Sequence, residues 1–257
     1  MKRRRIISLS ILVLLVLSVV GLRFRVAQLH KISGYEDKGY VYYGEEDYDN
    51  AIIAYNEAIR LLQIFDRNNS GRVYNLRGNV YSAKGDYVQA IADYTQAIKL
   101  KPDVSYYLNR GLSYRTTDWD SAIADFTSAI QIAPEERPLY KAEIYAWRAI
   151  IYGYKDEYDK AIADCNAALQ SVPEGSPLFK ANLYTWRALQ YKDKGEYDKA
   201  IADYNAALQI NPDDTEAKSG LSYVNNLKNP KEKISPTGKS DIKDIWEEIE
   251  EFMSPPQ

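Results

Sequence analysis

The sequence predicts an all-α chain: about five stacked helical hairpins, closed by a cap helix and preceded by one transmembrane helix. Three observations carry this. The phrase Ala-Ile-Ala-Asp recurs at residues 90–93, 122–125, 161–164 and 200–203, with a degraded Ala-Ile-Ile-Ala at 51–54. Starts spaced by 39, 32, 39 and 39 residues mark a repeat array. A small residue then recurs in register at Ala58, Ala97, Ala129, Ala168 and Ala207. Finally, an uncharged apolar run fills residues 6–22 behind Lys2-Arg3-Arg4-Arg5. A period of this length suits one helical hairpin per repeat, whose apolar face is buried only when neighbours stack on it.

The amino-terminal run is read first. Its 17 residues reach about 26 Å as a helix, the short end for crossing a bilayer. Arg23 and Arg25 close it. A cleaved signal peptide would have a shorter apolar region and a small-x-small site. Here the candidates at residues 19–21 and at Ala27 fit poorly, so residues 1–25 read as a cytoplasmic basic stub and signal-anchor. Four basic side chains before the run against two after it place the amino terminus in the cytoplasm and the repeats outside it. Secretion after cleavage is the competing reading.

In the fifth repeat, Tyr184, Arg187, Ala188 and Tyr191 share one face of a first helix. Residues 194–196 make a turn, Tyr197, Ala200, Ile201, Tyr204, Ala207 and Leu208 line the second helix, and Pro212 ends it. The same positions are Tyr35, Lys38, Gly39, Tyr42, Ala51, Tyr55 and Ala58 in repeat 1. They are Tyr74, Arg77, Gly78, Tyr81, Ala90, Tyr94 and Ala97 in repeat 2. Repeat 3 has Tyr107, Arg110, Gly111, Tyr114, Ala122, Phe126 and Ala129; repeat 4 has Tyr145, Arg148, Ala149, Tyr152, Ala161, Cys165 and Ala168. The excess of Tyr, 23 against five Phe, is therefore core filling. This pattern resembles the tetratricopeptide repeat, and five copies agree over residues 31–228. The resemblance implies a right-handed α-solenoid with a cap helix near residues 214–227. The extra length near-copied at 134–140 and 173–179 is expected to extend the following helices backwards.

Repeats 2–5 carry Arg77, Arg110, Arg148 and Arg187 in the first helix and Asp93, Asp125, Asp164 and Asp203 in the second. Repeat 1 has Lys38 and Ala54 there, so arginine and carboxylate vanish together. Arginine's planar fork fits a carboxylate in bidentate fashion, which makes each pair a structural clamp rather than a ligand site.

The resemblance also implies that ligands lie in a concave groove lined by the first helices. Mapped residue by residue, the peptide-binding candidates are Tyr40, Tyr43, Asn75, Asn79, Leu112, Arg115, Ile150, Tyr154, Thr185, Leu189 and Lys192. Glu36 and Arg72 line the same face. Some family members grip a chaperone's terminal carboxylate with a lysine–asparagine clamp. Asn79 occupies one clamp position, but Asn75 replaces the lysine, which argues against that ligand. Trp147 and Trp186 stand at matching positions and read as core packing for the longer helices there.

Residues 229–240 are a polar linker with Pro230, Pro236 and Gly238. Residues 241–257 then set Ile242, Ile245, Trp246, Ile249, Phe252 and Met253 on one helical face, with Asp244, Glu247, Glu248, Glu250 and Glu251 opposite. So short a helix is marginal alone and needs a partner, either another protein or this chain's own groove.

Composition closes several doors. Six of the 33 bases lie in the first 25 residues, leaving 27 bases against 36 acids, a net −9 with no footprint for nucleic acid. One cysteine and one histidine allow neither a disulfide framework nor an evident metal site. No nucleophile elbow, phosphate loop or cysteine–histidine pair occurs, so no enzyme activity and no cofactor is expected. The expected function is a membrane-tethered scaffold or adaptor that binds a protein or peptide in its groove. The alternative is a non-catalytic accessory subunit of a membrane-bound enzyme or envelope assembly complex.

Overall fold

The computed structural model describes residues 2–228, with side chains from residue 20 onward except Asn68. Eleven α-helices and no strand occur among the described residues. The linker at 229–240 and the tail helix at 241–257 lie outside them.

Five hairpins follow one another: α1 (Lys2–Gly44) with α2 (Tyr48–Phe65), α3 (Ser70–Ala83) with α4 (Tyr87–Leu100), α5 (Val104–Tyr114) with α6 (Trp119–Ile132), α7 (Pro138–Tyr154) with α8 (Tyr158–Ser171), and α9 (Pro177–Asp193) with α10 (Tyr197–Ile210). The cap α11 (Thr215–Lys228) packs on α10 and reaches α9. Each second helix also packs on the first helix of the next hairpin. Neighbouring first helices touch, α3 with α5, α7 with α9 and α9 with α11, whereas no two second helices pack to that extent. The array therefore curves toward its first helices, and those line its inner face.

The repeated small residues make this packing possible. Ala51, Ala58, Ala90, Ala97, Ala122, Ala129, Ala161, Ala168, Ala200 and Ala207 are all fully buried. Beside them Tyr55, Tyr94, Phe126, Cys165 and Tyr204 fill the space between helices. Where that filler is a ring of the same hairpin, the facing residue must be small. A Cβ added at Gly39, Gly78 or Gly111 would lie 2.6, 2.7 and 2.7 Å from the rings of Tyr55, Tyr94 and Phe126. In repeat 4, where Cys165 replaces the ring, the position holds Ala149; in repeat 5 it holds Ala188, and the Tyr204 ring instead meets Gly220 of the cap, where an added Cβ would lie 2.4 Å away.

Three expectations are refined. The extra length of repeats 4 and 5 does extend α7 and α9, but only back to Pro138 and Pro177, each in the first helical turn. Before them residues 134–137 and 173–176 close as turns, Arg137 N donating to Pro134 O and Ser176 N to Pro173 O, both at 3.1 Å. Between repeats 1 and 2 the excess lies instead in a long α2 and a 3₁₀ turn, Arg67–Asn69. The cap begins where expected, with Asp214 Oδ1 accepting from Ala217 N at 2.8 Å.

The third concerns the amino terminus. Membrane anchor and first repeat were expected as separate pieces, parted between residues 25 and 31. Instead one 43-residue helix, α1, about 65 Å long, runs without a break from the apolar run into the first repeat. Charge ends a bilayer span, but it does not end a helix, and no proline interrupts residues 22–44. The side chains of residues 6–19 lie outside the described set; among the described residues no helix is long and apolar enough to cross a membrane. Phe24 meets Phe65 edge-on at 5.8 Å, and Ile32 is buried, so α1 leans on the lengthened α2 for two turns before the repeat proper begins.

Candidate functional site

The arginines and aspartates meet as the sequence predicts. Arg77 and Asp93, Arg110 and Asp125, Arg148 and Asp164, and Arg187 and Asp203 each form a two-bond fork, Nε and Nη2 donating to the two carboxylate oxygens at 2.6–2.8 Å. The sequence reading missed the third bond. Nη1 reaches back to the preceding hairpin's second helix, to Asn56, Thr95, Thr127 and Asn166 respectively, at 2.9 Å for the two threonines. The guanidinium carbon of Arg77, Arg148 and Arg187 lies within 6.0 Å of two tyrosine rings of its own helix. Hydrogen bonding to Asp125 and Asp203 raises Arg110 and Arg187 still further above their ordinary range. Burial pushes the Asp93 carboxyl up, against the pull of Arg77. These groups are engaged in joining repeats, which removes them from any ligand surface.

The groove candidates divide into three groups. Between repeats 2 and 3, Asn109 Nδ2 donates to Asn75 Oδ1 and to Asn79 Oδ1, both at 3.0 Å, and Tyr94 Oη donates to Asn79 Oδ1 at 2.9 Å. Asn75 and Asn79 are thus tied into an interior polar network. Arg72 pairs with Glu36 across repeats 1 and 2. In repeat 1 Tyr40 is widely exposed, while burial raises the Tyr43 hydroxyl, whose ring tilts against Tyr48 at 6.2 Å.

Across repeats 3–5 the arrangement changes character. Leu112, Ile150 and Leu189 occupy one register position on α5, α7 and α9, each half-buried. Arg115 sits over the Trp147 ring at 5.7 Å, and Tyr154 stacks on Trp119 at 5.9 Å and 17°. Lys192 lies 5.8 Å from the Tyr223 ring centre and 3.2 Å from Asp193 Oδ1. Arg115, Tyr154 and Lys192 all stand at the carboxyl-terminal ends of their helices. Together they edge a partly exposed apolar strip with aromatic and cationic groups. Beneath it Gln190, buried beside Gly153, has no donor for its Oε1 among the described residues.

Thr185 does not belong to that strip. It is buried, and its Oγ1 donates to Asp214 Oδ2 at 3.2 Å, so the start of α11 covers it. Trp147 and Trp186 are buried, with Phe179 edge-on to Trp186 at 6.4 Å, in keeping with core packing. Sequence reasoning missed Asn109, Trp119 and Glu143; burial raises the Glu143 carboxyl on the inner helix α7. Among the described residues no cluster of His, Cys, Asp or Glu is placed to hold a metal.

Comparison with known families agrees with the helical register. One form of the tetratricopeptide-repeat profile matches residues 71–104 and 181–214, and a second matches residues 32–61 and 142–173, together just over half the chain. The chain belongs to the tetratricopeptide-repeat family. Neither match takes in residues 105–141, where the short-spaced third repeat nonetheless folds as the hairpin α5–α6. Several solved structures share the fold. The MamA protein is 22% identical with a TM-score of 0.61, over 80% of this chain and 98% of that one. A tetratricopeptide repeat protein from Parabacteroides merdae is 17% identical with a TM-score of 0.66, over 89% and 82%. YrrB, described as a TPR protein with an unusual peptide-binding site, is 17% identical with a TM-score of 0.59, over 73% and 90%. No curated protein matches the sequence. Tetratricopeptide-repeat proteins generally serve as scaffolds for protein–protein interaction.

Proposed function

We propose that this tetratricopeptide-repeat chain is a membrane-tethered scaffold that holds an apolar, acidic peptide segment of a partner on the inner face of repeats 3–5. The observation that carries the reading is the strip Leu112–Ile150–Leu189 with Arg115 and Lys192 along one edge. Three equivalent positions of the array stay apolar and half-exposed while the groups around them are consumed by clamps and networks. An apolar strip edged by aromatic and cationic side chains suits an amphipathic helix laid in a groove.

The tether is the apolar run at 6–22, with the amino terminus cytoplasmic and the repeats outside. It is supported by the run's length and by the excess of basic residues before it. Continuity of α1 would then fix the repeats relative to the bilayer, and tethering would raise the effective concentration of a weakly bound partner. Full-length chain on beads, solubilised in detergent, tests the binding reading. Ile150→Glu and Arg115→Glu should each abolish capture of proteins retained by the unaltered chain. Capture unchanged in both variants would overturn it. Extraction from membranes by alkaline carbonate, which leaves spanning proteins behind, would overturn the tether.

A further inference from the structure

We infer that the groove of repeats 3–5 is occupied in its resting state by the chain's own acidic tail, residues 241–253, which an external partner must displace. This rests on the groove reading above and names its resident occupant.

Geometry comes first. The cap helix α11 ends at Lys228, whose Nζ bonds to Asp198 in the first turn of α10. That contact puts the chain's exit at the same edge of the array as Arg115, Tyr154 and Lys192, the carboxyl-terminal ends of the first helices. Adjacent packed helices lie about 8–10 Å apart, so α7 is roughly 20 Å from α11 and α5 roughly 30 Å. The 12 residues 229–240 span about 19 Å root-mean-square as a flexible chain and no more than roughly 40 Å extended. The tail therefore starts within reach of α9 and α7. As a helix its 13 residues would cover about 20 Å, the width of the strip from α9 to α5.

Chemistry points the same way. Residues 241–253 hold six acids, Asp241, Asp244, Glu247, Glu248, Glu250 and Glu251, against the single base Lys243. The strip's edge carries Arg115, Lys192 and Lys155, the two lysines already facing Asp193 at 3.2 Å and Asp120, so a segment with six acids competes there with single carboxylates; Glu143 and Asp214 stand toward the opposite edge of the same face. The tail's apolar face, with Trp246 at its centre, matches a floor of Leu112, Ile150 and Leu189 flanked by Trp119 and Tyr154. Tethering through so short a linker supplies an effective concentration of ~1 mM, enough to keep filled a site whose intrinsic affinity is only in the micromolar range.

The test uses a fluorescein-labelled synthetic peptide of residues 240–257 and the full chain in detergent. Binding is measured to the unaltered chain and to a variant whose own tail is disabled by Ile245→Glu and Trp246→Glu. The disabled chain should bind the peptide at least tenfold more tightly than the unaltered one. Adding Arg115→Glu or Ile150→Glu to it should remove that binding, with the helical circular dichroism retained in at least one of the two. Equal affinity for both chains, or binding to neither, would overturn self-docking. Partner capture that still depends on Ile150 and Arg115 would then leave the groove reading standing. Sedimentation should show monomers throughout; a dimer that the tail substitutions dissolve would place the tail in a second copy's groove instead.

Discussion

Removing one carboxylate of the clamp, Asp164→Ala in repeat 4, isolates the structural role of the ladder. Arg148 then keeps Thr127 and the faces of Tyr145 and Tyr152 but loses both charge-assisted bonds. Breaking a buried pair costs about 3–5 kcal/mol because the partner's charge stays behind without compensation. The Arg148 side chain is 15% exposed, so some water reaches it, and the lower end of the range, about 3 kcal/mol, is expected. Urea denaturation of the full chain, followed by circular dichroism, reads this directly. Replacing the pair by Arg148→Met with Asp164→Leu should cost less than the single change, since neither charge is stranded. The reciprocal experiment builds the clamp where nature lacks it. Ala54→Asp alone should destabilise repeat 1, and Lys38→Arg added to it should recover about 1 kcal/mol or more as coupling between the two changes. A loss below about 1 kcal/mol for Asp164→Ala, or a double replacement worse than the single one, would refute the argument that these charges exist to pair with each other.

Three further expectations follow from packing, backbone and burial. Gly78→Ala gains helix propensity but drives a methyl to 2.7 Å from the Tyr94 ring, so a net loss of about 1 kcal/mol is expected in the same assay. Glu46 holds φ +59° in the α1–α2 turn, where repeats 2 and 5 use Gly85 and Gly195; Glu46→Gly should raise the melting temperature, worth about 0.5–1 kcal/mol. Burial pushes the Cys165 thiol, ordinarily near 9.0, and the Tyr55 hydroxyl, ordinarily near 10.0, each up to about 12. Both are acids with raised folded-state values, so no penalty exists below their ordinary range. As pH rises past it, the unfolded chain releases protons that the folded chain retains. Stability should fall between pH 9 and 12 by about 1.4 kcal/mol per pH unit for each group once its ordinary value is passed. Cys165 should accordingly resist thiol reagents at pH 8 until urea unfolds the chain; prompt labelling without urea would contradict its burial.

What the sequence made legible is what repeats. A residue type recurring at one register through five copies identifies the face it serves, and the joint loss of arginine and aspartate in repeat 1 identifies a pairing without any coordinates. Contacts between unlike positions leave no such trace. The third bond of each arginine goes to Asn56, Thr95, Thr127 or Asn166, residues with no common identity beyond a polar oxygen. Asn109 joins Asn75 and Asn79 once only, so no periodicity announces it. Thr185 read as groove from its place in the repeat, yet the same register position is buried at Asn75 and Ala146 as well, under the helix that follows; for Thr185 that helix is the cap. Continuity of α1 was hidden for a different reason. Arg23 and Arg25 interrupt the apolar run and so suggest a boundary, but nothing in their chemistry breaks a helix.

The departures from regularity concentrate at one junction. Lys84, Lys155, Lys194 and Lys228 each reach back to Asp49, Asp120, Asp159 and Asp198, one ion pair per junction. Between repeats 2 and 3 the matching residues are Thr117 and Val88, and Val88 is 75% exposed. The spacing there is 32 rather than 39, and the buried residues Ala90, Tyr94 and Ala97 of α4 belong to none of the three apolar clusters. Asparagines fill the seam instead. A solenoid's stability is close to a sum of its nearest-neighbour interfaces, so the interface that gives up an ion pair and apolar continuity contributes least. It also divides the chain by role. On one side lie α1 with its apolar extension and the first two repeats; on the other lies the strip from Leu112 to Leu189. Because each repeat contacts only its neighbours, motion at this seam can reorient repeats 3–5 relative to α1 while leaving the Arg–Asp clamps within each repeat intact.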